Sequence, residues 1–139
     1  TDLKGAFFMA QAVGRHMIER GGGGRVINIT SIMGQVGFYY RAAYCSAKAG
    51  LANVTRVLAV EWAKHGINVN AIGPSFILTP LTKPMFDDPW FHDLVIDRTP
   101  QGRIGEPEDV VGAVVFLASP ASRLVTGAVL MVDGGWTAW

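Results

Sequence analysis

The chain has 139 residues, half of them hydrophobic and only 17% charged, which is enough for one domain with a real core and too apolar for a disordered segment. Twelve basic and eleven acidic side chains leave a net charge of +1, so no single-sign field points to nucleic acid or to an anionic membrane. The one cysteine, Cys45, excludes an internal disulfide and fits a reducing cytoplasm, and no signal peptide or membrane-length apolar run appears.

The chain opens "TDLKGAFF", without Met and already helical in pattern, which suggests a piece of a longer protein. Leu3, Phe7, Phe8, Ala12, Val13 and Met17 recur at helical spacing and predict a helix over 2–20. "GGGG" at 21–24 breaks it, and "RVINI" at 25–29 is short, β-branched and apolar, as a buried strand should be. A second helix is predicted from about Ala42 to Lys64, with Leu51, Val54, Leu58 and Trp62 on one stripe and Gly66 ending it. "INVNAI" at 67–72 reads as the next strand. Pro74 and Pro80 then bracket an irregular segment reaching about Gly105, read as an apolar lid carrying Phe86, Trp90, Phe91 and His92. A helix over 106–119 begins with Pro107 and acidic residues, where the helix dipole favours negative charge. "AVLMVDGG" closes as strand and turn. The alternation of helix and strand predicts an α/β fold with a doubly wound, Rossmann-like parallel sheet. Only three strands are visible, so residues 1–139 read as the C-terminal part of a single such domain.

"AAYCSAKAG" at 42–50 places Tyr44 four residues before Lys48, and residues at that spacing share a helix face. A free phenol, with a pKa of about 10, is a poor base at neutral pH. A neighbouring ammonium favours the phenolate, which would let the tyrosine exchange a proton with an alcohol or carbonyl. Ser31 leaves the carboxyl end of the first strand, the edge where open α/β sheets bind ligands, and its hydroxyl could hold the oxygen that Tyr44 protonates. The second strand exits at the same edge through "GPSFILT". Pro74 turns the chain there, and backbone groups near Ile77 with the Thr79 hydroxyl could hold a carboxamide such as that of nicotinamide. His16, His65 and His92 lie in different elements without ligand spacing, so no metal is expected. Cys45 reads as a packed thiol.

The stretches "RVINITSIMG", "YCSAK", "LAVEWAKHGINVNAIGP", "RIGEPEDVVGAVVFLAS" and "VTGAVLMVDGG" span nearly the whole chain and together resemble the classical short-chain dehydrogenases/reductases. The resemblance implies that Ser31 positions the substrate oxygen and that Tyr44 is the acid/base. It implies that Lys48 lowers the tyrosine pKa and binds the nicotinamide ribose, and that Pro74, Ser75, Ile77 and Thr79 line the cofactor. The cofactor would be NAD or NADP, and the substrate a small alcohol or ketone. Enoyl-reducing relatives space their tyrosine and lysine more widely, so carbonyl chemistry fits better. The stretches "LAVEWAKHGINVNAIGP" and "RTPQGRIGEPEDVVGA" look most like those of sugar-acid dehydrogenases, with 3-oxoacyl reductases the nearest rival. A non-catalytic dinucleotide-binding or assembly module is the rival of a different class. Family members commonly form homo-tetramers, which the resemblance implies here too.

Two positions depart from the family pattern. Asp2 stands where an asparagine usually helps a water-mediated proton relay, and its carboxylate would hold the catalytic lysine as well as a water. Ser75 stands where glycine is usual; if that glycine supplies a positive φ, Ser75 is strained and Ser75→Gly relieves it. The family's glycine-rich phosphate loop and the residue selecting NAD or NADP are not among these residues. "GGGG" cannot substitute, since it follows a helix and precedes a strand, the reverse of a phosphate loop. The isolated chain is therefore expected to bind NAD(H) poorly, to be inactive and to associate through an unpaired strand edge.

Overall fold

The computed structural model describes residues 2–139. Its elements run α1 (Lys4–Arg20), β1 (Gly24–Ile29), α2 (Ala42–Trp62), β2 (Ile67–Pro74), α3 (Pro89–Arg98), α4 (Pro107–Ala118) and β3 (Val129–Val132). The three strands form one parallel sheet in the order β1-β2-β3. In the register, Ile29 lies opposite Ile72 and Pro74 opposite Val132, so all three strands end at one edge. Ser31, Ser75 and Asp133 leave the sheet from that edge.

The central strand carries the core. Ile67, Val69, Ala71 and Ile72 are almost wholly buried. Leu58, Ala59 and Trp62 of α2 pack on Ile67 and Val69, joined by Ala10 of α1. Each such Leu, Ile or Val removed from water contributes about 1.5–3 kcal/mol. Successive strand residues point to opposite faces, and the alternate residues Asn68 and Asn70 reach away from this cluster. Asn70 Nδ2 donates to the Val125 carbonyl at 2.8 Å, and its Oδ1 accepts from the Ala128 amide at 3.0 Å. One asparagine thus fixes the chain between α4 and β3, while α4 itself lies against all three strands. A buried bond from Asn28 Nδ2 to Thr55 Oγ1, at 2.9 Å, ties β1 to α2.

The glycine run leaves α1 through three left-handed residues, with φ of 71° at Gly21, 81° at Gly22 and 72° at Gly23, which only glycine adopts cheaply. It is a helix exit, as the sequence order required.

The helix predicted over 2–20 is α1, and one other expectation needs correction. The buried positions of α1 are Ala10 and Gly14, while Phe8 and Ala12 are exposed. The Trp62 ring of α2 lies where a Gly14 side chain would be, so α1 meets this ring with Ala10 and Gly14, and Met17 and Ile18 pack beside them. The segment read as irregular contains α3. The Asp88 carboxylate accepts the Trp90 amide at 3.0 Å, Pro89 occupies the first turn, and Phe91 and Val95 are buried one turn apart.

Candidate active site

β1 ends at Ile29, and two residues later Ser31 caps a 3₁₀ turn over Ile32–Gly34, its Oγ accepting the Met33 amide at 3.1 Å. Ser31 is buried, and its hydroxyl hydrogen has no acceptor among the described residues. The turn packs against α2 so closely that a Cβ on Gly34 would stand 3.0 Å from the Lys48 carbonyl. That contact carries Ser31 to the helix bearing Tyr44 and Lys48. Tyr44 packs against the buried cluster of Ile32, Met33, Phe91, Val95 and Trp136, and Cys45 does the same, as a packed thiol should.

Lys48 Nζ lies 5.5 Å from the centre of the Tyr44 ring and donates to the Ile29 carbonyl at 3.0 Å. The Asp2 carboxylate is 4.0 Å from the same nitrogen. Lys48 is 12% exposed and Asp2 53%, so the lysine is held by the strand end and Asp2 adds a wet, weak attraction from outside. Asp2 and Tyr44 line one open groove of about 730 Å³ with Leu3, Phe7 and Val54. The charge of Asp2 thus faces the Lys48 ammonium from the solvent side.

The β2 exit forms a second group. Ser75 continues the ladder, its amide donating to the Val132 carbonyl at 3.1 Å. Its φ is not positive, since Tyr40 is the one described non-glycine residue in that region, so the expected strain at Ser75 is absent. The Ile77 carbonyl accepts Thr82 Oγ1 at 2.6 Å, and the Thr79 and Thr82 hydroxyls are 3.0 Å apart. The Ile77 amide donates in none of the described hydrogen bonds. The turn therefore offers a carboxamide one unengaged N–H and a hydroxyl already shared with Thr82, a residue the sequence reading passed over.

Ser75 and Ile77 line a cavity of about 390 Å³ with Thr99, Arg103, Asp109 and Asp133, and neither Tyr44 nor Lys48 reaches it. The two groups are joined through rings: Phe76 stacks edge-on to Phe91 at 5.4 Å and to Trp136 at 5.1 Å, in the cluster that also holds Tyr44. Arg103 grips Asp109 with two bonds of 2.7 Å, and Asp109 also accepts the Glu106 amide at 2.8 Å. The Arg103 bonds first, and the Glu106 amide second, hold the Asp109 carboxyl well below the usual range. Burial alone would raise the Asp133 carboxyl, but bonds from Thr137 Oγ1 at 2.6 Å, the Thr137 amide at 2.9 Å and the Gly135 amide at 3.0 Å outweigh it and lower the value. Among the described residues no cluster of His, Cys, Asp or Glu could hold a metal ion, and no helix is long and apolar enough to cross a membrane.

A family model described as enoyl-(acyl carrier protein) reductase matches residues 1–137. The 2-dehydro-3-deoxy-D-gluconate 5-dehydrogenase of Escherichia coli is 45% identical over 99% of this chain and 54% of its own length. The gluconate 5-dehydrogenase of Gluconobacter oxydans is 42% identical over 99% of this chain and 53% of its own. Among solved structures, a gluconate 5-dehydrogenase from Burkholderia cenocepacia in complex with NADP and tartrate superposes with a TM-score of 0.95 at 40% identity, over 99% of this chain and 54% of that one. A short-chain type dehydrogenase/reductase from Mycobacterium marinum gives 0.93 at 38% identity, over 100% and 54%. The chain spans about half the length of the curated relatives it matches. With the Rossmann-like sheet and the Tyr44–Lys48 helix already in view, these matches make the chain a member of the short-chain dehydrogenase/reductase family.

Proposed function

We propose that the protein is an NAD(P)-dependent oxidoreductase that moves a hydride between nicotinamide and the alcohol or ketone carbon of a sugar acid or polyol. The observation that carries this reading is the convergence at one sheet edge of Lys48, anchored to Ile29, with the Tyr44 ring beside it and the Ser31 turn packed on the same helix. When bound, the nicotinamide supplies or accepts the hydride. The protein's own groups manage the oxygen and its proton. Ser31 donates its free hydroxyl hydrogen to the substrate oxygen, and Tyr44 gives or takes the proton there. The Lys48 ammonium stabilises negative charge on the phenolic oxygen while that proton is away. The Ile77 amide and the Thr79 hydroxyl would hold the carboxamide, Lys48 the ribose, and Pro74 and Ser75 the wall behind the ring.

The sugar-acid part of the reading is supported by the relatives named for gluconate and dehydrodeoxygluconate, and by the one whose structure carries tartrate, itself a hydroxy acid. The four-residue spacing of Tyr44 and Lys48 favours carbonyl over enoyl reduction, whatever the description of the family model. We place the protein in the cytoplasm, on its single cysteine, and as a homo-tetramer, on the exposed Phe8 and Met9 of α1 and Val57 and Val60 of α2. Tyr44→Phe in the intact protein tests the catalytic assignment. It keeps the ring and its packing and removes only the transferable proton. Turnover, followed by NAD(P)H absorbance, should fall by about 10²–10⁴-fold with cofactor affinity nearly intact. Activity within a few-fold of the parent would refute the role.

A further inference from the structure

A second open groove, of about 700 Å³, runs between the loop that enters α2 and the segment leading into α3. Phe38, Tyr39, Tyr40 and Arg41 form one wall, and Met85 and Trp90 belong to the other. Two features of this wall are not explained by packing. Tyr40 has a φ of 55°, the one described non-glycine residue with a positive value, and its ring is fully exposed. A bulky residue held there is strained, and no burial of the ring offsets the cost. Arg41 is exposed and enters none of the described ion pairs or side-chain hydrogen bonds. The carboxylate across the groove, Asp88, spends one oxygen capping α3 through the Trp90 amide and forms no ion pair with Arg41. Trp90, at the rim, is 64% exposed.

The groove shares its inner wall with the cluster on which Tyr44 packs, while Tyr44 itself lines the groove beside Asp2. Arg41 caps α2 and lies one turn before Tyr44; its carbonyl accepts the Cys45 amide at 2.8 Å. Phe38, Met85 and Phe91 line the groove and also belong to the cluster that holds Tyr44. Arg41, at the N-cap, and Tyr44, in the first turn, start from backbone positions about one helical turn apart. A five-carbon chain spans about the same distance, on the order of one helical turn.

We propose that Arg41 is the residue that selects acidic substrates: its guanidinium pairs with the carboxylate of a sugar acid whose hydroxyl-bearing carbon, several carbons away, meets Tyr44. The Tyr40 and Trp90 rings give the C–H faces of the chain a flat apolar surface. A planar guanidinium with five donors matches a carboxylate bidentately, and none of those donors is taken by the described residues. The inference rests on the dehydrogenase reading above and adds to it the group that separates an acid from the neutral polyol of the same length.

The test compares oxidation of gluconate and of sorbitol by the intact protein, its Arg41→Gln variant and its Arg41→Lys variant. In Arg41→Gln the ratio of kcat/KM for gluconate to that for sorbitol should fall by about 10–100-fold, as expected for losing a hydrogen bond to a charged group, with the loss in KM. Arg41→Lys should recover part of the ratio, since it keeps the charge and loses the fork. A merely structural role would lower both substrates together and leave the ratio where it was, which overturns the inference while the dehydrogenase reading stands. A parent enzyme that turns over other alcohols but neither of these compounds overturns the sugar-acid reading and the inference with it. A Tyr40→Gly variant should melt at a higher temperature and yet show a raised KM for gluconate; an unchanged KM removes the Tyr40 ring from the site.

Discussion

Lys48 Nζ donates to the Ile29 carbonyl at 3.0 Å, so the ammonium one turn beyond Tyr44 is tied to the last residue of β1. The helix cannot slide along the sheet without breaking this bond, and the ammonium cannot swing away from the ring. Lys48→Met keeps most of the aliphatic stem and removes the charge. Turnover and NAD(P)H affinity should both fall, each by about 10–100-fold, the scale of one lost charge-assisted hydrogen bond. Steady-state kinetics and a fluorescence titration with the reduced cofactor read the two effects separately. If affinity holds while turnover falls, the proposed ribose contact is wrong.

Gly14 sets two opposed effects against each other. Alanine is the better helix former by roughly 1 kcal/mol. A Cβ at Gly14, however, would collide with the Trp62 ring, which is itself buried in the core. Overpacking of this kind costs about 1–3 kcal/mol, so Gly14→Ala should be net destabilising. A urea midpoint equal to or above that of the parent would mean that the ring moves aside easily.

Ser75→Gly should not help. The Ser75 backbone is unstrained and pairs with Val132, so glycine gains nothing from its conformational freedom there. Its greater entropy in the unfolded chain should cost about 0.5–1 kcal/mol. Chemical denaturation of the two proteins decides it: a more stable variant would restore the idea that this turn wants glycine.

Asp133 gives the pH dependence a sign. Its folded value lies below the ordinary 3.8, so its contribution is fully present above that value and drains away as the pH falls through the lower folded one. Asp133→Asn should flatten the loss of thermal stability between pH 5 and pH 3, taken as about one unit either side of the ordinary value. The same acid slope in both proteins would show that other carboxyls carry it.

Much of this was readable from the residues alone. "RVINI" and "INVNAI" read as strands because short runs of Ile and Val stand between turn signals, and Tyr44 and Lys48 share a helix face whatever the rest of the chain does. What was not readable depends on partners distant in sequence. Gly14 looks like a weak point in a helix until Trp62 is seen against it. The Lys48 anchor is a backbone carbonyl, which leaves no trace in residue identity. α3 was hidden because its apolar residues sit among the same aromatics that suggested a loop, and its start signal, Asp88-Pro89, reads equally well as a turn. At Ser75 the glycine usual in the family is not a backbone requirement, since φ there is not positive.

The middle position of β2 has a consequence for how motion is distributed. Its neighbours on either side come from far earlier and far later in the chain, so its amides are sealed only once both long crossovers have closed. Amide hydrogens at Val69, Ala71 and Ile72 should be the last to exchange with deuterium, releasing only in whole-molecule opening, while those of the turns beyond Pro74 exchange through small local fluctuations. The groups proposed to do chemistry thus stand at the boundary between the slowest and the fastest parts of the molecule.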